Sequence, residues 1–152
     1  INNSIFMKTI AIGCDHAGFE LKEKVKEYLI SKGFSVTDYG TYSTASVDYP
    51  DIIHPLAFDI NRHLFDLGII ICGSGNGVAM TANKYINVRA ALCWNAEIAE
   101  LARKHNDANI LSLPARYLQY DEAISILNSF IDTEFEGGRH LTRVEKISKT
   151  IQ

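Results

Sequence analysis

Gly68-Ile69-Ile70-Ile71-Cys72-Gly73-Ser74-Gly75-Asn76-Gly77-Val78-Ala79 joins an apolar run to a glycine-rich turn. An unbroken apolar stretch bounded by turn residues suits a strand covered on both faces, as in a parallel sheet. Gly73, Gly75 and Gly77 let the chain curl after it without Cβ clashes, and a helix over Val78 to Tyr85 is predicted next. The N–H groups of such a turn converge at the helix start, where partial positive charge favours a phosphate, a carboxylate or a transient oxyanion. The same field favours the thiolate of an adjacent cysteine, which makes Cys72 a candidate acid, base or nucleophile.

Familiar readings of the loop fail on spacing. A dinucleotide fingerprint needs glycine where Val78 stands and an acidic residue about twenty positions on, where the chain has Cys93-Trp94-Asn95. The phosphate loop of nucleotide hydrolases needs Gly-Lys-Ser or Gly-Lys-Thr, and a hydrolase elbow needs glycine at the place of Cys72. By itself the loop is also compatible with a connection that merely turns the chain.

The flanking sequence extends the pattern. Lys8 to Cys14, Phe34 to Asp38, Val88 to Cys93 and Asn109 to Leu113 read as further strands. Between them run helical stripes: Leu21, Val25, Tyr28 and Leu29, stopped by Gly33; Ile53, Leu56, Ala57, Ile60 and Leu64, with Pro50 and Pro55 near the start; a segment from Asn95 to Lys104; Ala123, Ile124, Leu127 and Ile131; and Val144, Ile147 and Ile151. Strand alternating with helix predicts an α/β fold, a three-layer α/β/α Rossmann-like sandwich on a parallel sheet of about five strands.

At 152 residues and 47% hydrophobic content, the chain has the size of a single domain. Residues 7–152 are assigned to it, and residues 1–6, ahead of Met7, to an N-terminal extension or cloning remnant. A net charge of −3 with no basic cluster argues against nucleic acid as a partner. No apolar stretch is long enough to span a bilayer and no signal segment is evident, so a cytoplasmic location without membrane partners is expected. Three cysteines, Cys14, Cys72 and Cys93, suit free thiols in a reducing compartment.

In open parallel sheets the ligand crevice lies beyond the carboxyl ends of the strands. The polar residues that follow the apolar runs are Asp15 and His16, Cys72 with its loop, and His105-Asn106-Asp107. Each also has a purely structural reading. Asp15 can cap a helix, Cys72 can be an inert buried thiol, and His105-Asn106-Asp107 can end a helix with Asn106 left-handed. Downstream, Gly137-Gly138 breaks the preceding helix and starts another, on which Arg139 and Arg143, four apart, share a face. Paired guanidiniums grip a phosphate dianion in bidentate fashion, and Arg116 is a third candidate, although exposed pairs at this spacing are commonly just solvated.

Six blocks taken in order resemble one family. They are Gly13-Cys14-Asp15-His16-Ala17-Gly18-Phe19, Asp48-Tyr49-Pro50, Cys72-Gly73-Ser74-Gly75-Asn76-Gly77, Ala82-Asn83-Lys84, Arg103 to Asn109, and Glu136-Gly137-Gly138-Arg139-His140-x-x-Arg143-Val144. The chain from Met7 onward is similar to ribose-5-phosphate isomerase type B, in the ribose/galactose isomerase family. The resemblance implies interconversion of D-ribose 5-phosphate and D-ribulose 5-phosphate, a step of the non-oxidative pentose phosphate pathway. It implies Cys72 as the base moving a proton between C1 and C2, His105 as the residue that opens the sugar ring, and Gly73, Ser74, Gly75, Asn76 and Gly77 as the enediolate loop. It further implies sugar or phosphate contacts from Asp15, His16, Tyr49 and Asn106, and a phosphate end made by Arg116, Arg139 and Arg143. A branch of the family uses a glutamate base where this chain has Val78; keeping Cys72 instead indicates the cysteine branch. The family also implies a homodimer or homotetramer with the site between subunits.

The chemistry suits these residue types. Aldose–ketose conversion needs a base that works near neutral pH, preorganised donors for the enediolate, and a group that both gives and takes a proton at the ring oxygens. No cofactor and no metal are expected: the histidines lack His-x-x-x-His spacing and the cysteines lack Cys-x-x-Cys. Alternative readings are a hexose 6-phosphate isomerase of the allose or galactose type, a non-catalytic sugar-phosphate-binding module, a thiol hydrolase using Cys72 and His105, and a metal enzyme using Asp15, His16, His105 and His140.

Overall fold

The apolar runs form five strands in a computed structural model of the chain, which describes residues 7–149. They are β1 (Thr9–Cys14), β2 (Ser35–Asp38), β3 (Leu67–Cys72), β4 (Ala90–Leu92) and β5 (Ile110–Pro114), ordered β2-β1-β3-β5-β4. All four pairings are parallel, with Ile12 opposite Ile69 and Ile69 opposite Leu111. All six residues of β3 are buried, as expected of a central strand covered on both sides. The path leaves β1 for β2 on one side and then resumes at β3 on the other, so the crevice beyond β1 and β3 is the switch point of the sheet.

Six helices cover it: α1 (Phe19–Ser31), α2 (Tyr49–Asn61), α3 (Asn76–Ala82), α4 (Ala96–Asn106), α5 (Tyr120–Asp132) and α6 (Arg139–Ile147). Side chains alternate across a strand, and β3 divides accordingly. Ile69 and Ile71 pack with Val25 and Leu29 of α1, Ala99 and Ala102 of α4, and Leu127 and Phe130 of α5. Ile70 and Cys72 face the other layer, with Ile53, Leu56 and Ile60 of α2 and Val78 and Ala82 of α3. The result is the expected three-layer α/β/α sandwich on five parallel strands. No described helix is long and apolar enough to cross a membrane.

Local departures from the sequence reading have identifiable causes. Helix α3 starts at Asn76 rather than Val78, because left-handed Gly75 (φ 74°) begins it directly, and it stops at Ala82 rather than Tyr85. There the Asn83 amide is captured by Ala90, donating to its carbonyl at 3.0 Å and accepting from its N–H at 2.8 Å. Pro55 lies inside α2, not near its start; it and Asp51, whose carbonyl loses a donor, are on the exposed face, where water can serve instead. Leu64 falls beyond that helix and is 52% exposed. Asp107, not Asn106, takes the left-handed position after α4 (φ 46°), held by Arg103 Nη1 at 2.9 Å. Helix α5 has already ended at Asp132, so Gly137 and Gly138 (φ 69° and 57°) launch α6 without breaking a helix. Residues 1–6 and Ile151, assigned above to an extension and to the last helical stripe, lie outside the described residues.

Candidate active site

Cys72 is the last residue of β3 and is 5% exposed. The chain turns so tightly after it that the Gly75 N–H donates to Cys72 Sγ at 3.1 Å. Three tethers fix that turn. Ser112 Oγ donates to the Gly75 carbonyl at 2.6 Å, Arg116 N donates to the Gly73 carbonyl at 3.0 Å, and Asn76 N donates to Ser74 Oγ at 3.3 Å. Gly75 has no room to be anything else: besides its positive φ, a Cβ there would stand 2.5 Å from Leu92 Cδ1. A donor is thus held on the Cys72 sulfur by the backbone.

The other two cysteines differ. Cys14 and Cys93 are fully buried, and burial pushes each thiol up to about 12, against only partial relief for Cys14 from the Lys22 ammonium.

Around Cys72 opens a cavity of about 830 Å³ lined by Asp15, His16, Ser46, Val47, Asp48, Tyr49, Gly73, Ser74, Gly77, Arg116 and Tyr117, among others. Asp15 Oδ1 accepts from Ala17 N at 2.9 Å and Gly18 N at 3.1 Å, so it caps the short 3₁₀ turn His16–Gly18 and still borders the cavity. His16 Nδ1 accepts from Val47 N at 3.3 Å, which leaves Nε2 as the N–H of the neutral ring. Tyr49 lies over the loop so closely that a Cβ on Gly77 would be 2.4 Å from its Cζ. Arg116 flanks the opposite edge, 3.0 Å from a Cβ built on Gly73.

Eight sequence-derived candidates therefore meet at this cavity: Asp15, His16, Tyr49, Cys72, Gly73, Ser74, Gly77 and Arg116. Gly75 and Asn76 belong to the loop but not to the lining. His105, Asn106, Arg139 and Arg143 are elsewhere, on α4 and α6. The His105 ring stacks on that of His140, with centroids 4.2 Å apart and planes at 12°. Arg143 Nη1 donates to the Arg139 carbonyl at 2.9 Å, which aligns the two arginines along α6. Asn106 borders a second cavity of about 600 Å³, beside Arg89, Ile86 and Ile147.

His140 belongs to the last of the six blocks and, with Asp15, His16 and His105, to the metal-enzyme alternative; it does not line the Cys72 cavity. It is 8% exposed, and its Nε2 is the buried side-chain nitrogen or oxygen without a hydrogen-bond partner among the described residues. Burial, then the charges of His105, Arg139 and Arg143, hold its proton affinity below the usual histidine range, with Glu136 opposing. His105, Glu136 and His140 bring ligating atoms within 4.8 Å of one another. Stacked rings point their lone pairs side by side rather than at one ion, and the flanking guanidiniums favour an anion. Ser46, Val47 and Tyr117 on the cavity wall also escaped the sequence reading; the first two sit on an irregular segment and Tyr117 in a single 3₁₀ turn (Ala115–Tyr117), where no periodicity marks them.

With this geometry in hand, the comparisons are specific. The family model described as Ribose/Galactose Isomerase matches residues 10–147. The chain is 40% identical over 142 residues to ribose-5-phosphate isomerase B of Escherichia coli, covering 93% of this chain and 95% of that one. A crystal structure of a ribose 5-phosphate isomerase from Thermotoga maritima is 50% identical, with a TM-score of 0.91 over 93% of this chain and 97% of its own. The Mycoplasma genitalium ribose-5-phosphate isomerase B, solved with bound ribulose-5-phosphate, is 44% identical with a TM-score of 0.88, over 92% of this chain and 93% of its own. The chain belongs to the ribose/galactose isomerase family and is an isomerase.

Proposed function

We propose that this chain interconverts D-ribose 5-phosphate and D-ribulose 5-phosphate by proton transfer through an enediolate, with Cys72 as the base. The observation that carries the reading is the Gly75 N–H on Cys72 Sγ, on the wall of a cavity that also presents Asp15, His16, Tyr49 and Arg116. His105 first moves the proton between the anomeric hydroxyl and the ring oxygen, so that the ring opens and the C1 carbonyl forms. The Cys72 thiolate then removes the C2 proton, and the electron pair moves to make the enediolate, whose oxygens face the N–H groups of Gly73 to Gly77 and the Ser74 hydroxyl. Returning the proton to C1 and moving the hydroxyl proton from O2 to O1 gives the ketose. Preorganised donors of this kind typically contribute about 3 kcal/mol each to lowering a barrier. Arg116, Arg139 and Arg143 hold the phosphate, and Asp15, His16, Tyr49 and Asn106 the hydroxyls.

Within one chain the cavity does not include His105, Asn106, Arg139 or Arg143. This division supports a site completed by a second copy, in a homodimer or homotetramer. The test is turnover of ribose 5-phosphate in deuterated water: deuterium entering at C1 or C2 supports proton transfer, and Cys72→Ala should abolish turnover with the fold intact. Substantial residual turnover in that variant refutes Cys72 as the base. Faster turnover of allose or galactose 6-phosphate would move the assignment to a hexose 6-phosphate isomerase, and binding without turnover would make the chain a non-catalytic sugar-phosphate module.

A further inference from the structure

Lys22, on α1, is fully buried and touches no group assigned a role above. Its ammonium lies 2.8 Å from both Asp38 carboxylate oxygens and 2.6 Å from the Thr41 carbonyl. Glu23 is 3.3 Å away and the Tyr42 ring centroid 4.9 Å. Asp38 is pinned further by Lys26 Nζ at 2.9 Å and Gly40 N at 2.8 Å. A buried ammonium is costly to desolvate, and an apolar side chain of similar volume often serves stability as well or better. What an apolar residue lacks is direction. All three ammonium protons are committed to β2 and the start of residues 39–48, the segment without regular structure that ends at the cavity wall.

We propose that Lys22 is a positioning residue for substrate binding: its ammonium ties the start of residues 39–48 to α1 and so sets where the far end of that segment stands. The far end is Val47, whose N–H meets His16, followed by Asp48 and by Tyr49, whose ring covers Gly77. Between Thr41 and Val47 the only other side-chain anchors within the described residues are the Tyr42 hydroxyl on the Asp38 carbonyl at 2.9 Å and the Ser43 hydroxyl under Ala45 N at 3.2 Å. Backbone bonds also hold the root on β1, Tyr39 N donating to the Ile12 carbonyl at 2.8 Å, Cys14 N to the Gly40 carbonyl at 2.7 Å and Thr41 N to the Cys14 carbonyl at 2.9 Å. Losing the ammonium therefore frees the Thr41 carbonyl and the chain beyond it, residues 42–46, while Cys72 and its loop, tethered to β5, keep their places. This inference rests on the reading of the cavity as the sugar-phosphate site.

The test is Lys22→Met, assayed on ribose 5-phosphate well below its melting temperature. KM should rise at least about tenfold and kcat change less than about threefold, since the segment leads to the sugar-contact residues His16 and Tyr49 and not to Cys72 or its donors. Lys26→Met, which removes the more exposed ammonium from the same carboxylate, should leave both constants unchanged. A folded Lys22→Met protein with the wild-type KM overturns the proposal, as that is what a merely structural lysine would give. If Lys22→Met fails to fold, Asp38→Asn should show the same rise in KM together with faster amide exchange over residues 41–48, and a wild-type KM there overturns it equally. Absence of turnover in the wild-type chain would instead sink the functional reading itself.

Discussion

Gly75→Ala tests the geometry at its tightest point. The substitution meets two separate penalties. A non-glycine residue at φ 74° costs about 1–2 kcal/mol, and a Cβ 2.5 Å from Leu92 Cδ1 and 3.2 Å from Ser112 Oγ adds an overpacking cost of about 1–3 kcal/mol. The sum, about 2–5 kcal/mol, is equivalent to roughly 5–15 °C of melting temperature for a chain of this size. The Leu92 side chain can rotate away, which sets the lower end. The catalytic cost is separate: a displaced residue 75 takes its N–H off Cys72 Sγ, and losing one preorganised donor lowers kcat about 10²-fold or more. Thermal denaturation and steady-state turnover on ribose 5-phosphate, measured on one preparation at a temperature where the variant is folded, separate the two effects. A variant that melts within 1 °C of wild type, or that keeps kcat within about threefold, would refute the account of how the loop is held and what it does.

Other outcomes follow from the same coordinates. Iodoacetamide at neutral pH should alkylate Cys72 and spare Cys14 and Cys93, whose thiols burial pushes up to about 12; peptide mass spectrometry reads the sites, and equal labelling of all three contradicts it. His140 has a depressed proton affinity in the folded chain, so the unfolded chain binds the proton first. Stability should therefore fall as pH drops below about 6.5 toward the lower folded value, and His140→Gln should show a smaller drop in melting temperature from pH 7 to pH 5 than wild type. Mixing Cys72→Ala with His105→Ala should restore about a quarter of wild-type activity if a two-fold dimer shares its sites, since half the dimers are mixed and each carries one intact site. No recovery after subunit exchange would place His105 outside the partner's site.

The sheet was legible because its central strands β1, β3 and β5 are covered on both faces, and Gly68 to Cys72 had to be apolar throughout. The helix limits were less so, since tertiary contacts decide them. Asn83 ends α3 by bonding Ala90, which the sequence places seven positions later with no visible signal. Asp107 rather than Asn106 takes the left-handed turn because Arg103 reaches it. At the site, the residues on strand ends and in the glycine loop could be read from spacing and from the six blocks. Ser46 and Val47 could not, because a wall without regular structure has no period. Nor could spacing show that His105 and the arginine pair would lie away from the Cys72 cavity in a single chain; that depends on where α4 and α6 pack.

Helix α6 buries only His140 and Val144, and α4 is its main contact among the elements. An element with so little buried apolar surface opens at a small fraction of the free energy needed to unfold the sheet. The arginines proposed to hold the phosphate are thus carried on a helix that buries little within its own chain, while the thiol and its donors sit at the end of the fully buried central strand. If α6 undocks for part of the time, a dianion gripped by Arg139 and Arg143 selects the docked helix, and its observed affinity is the intrinsic one multiplied by the docked fraction. Substitutions on the outer face of α6 would tune substrate affinity through that population without touching a single residue of the proton-transfer site.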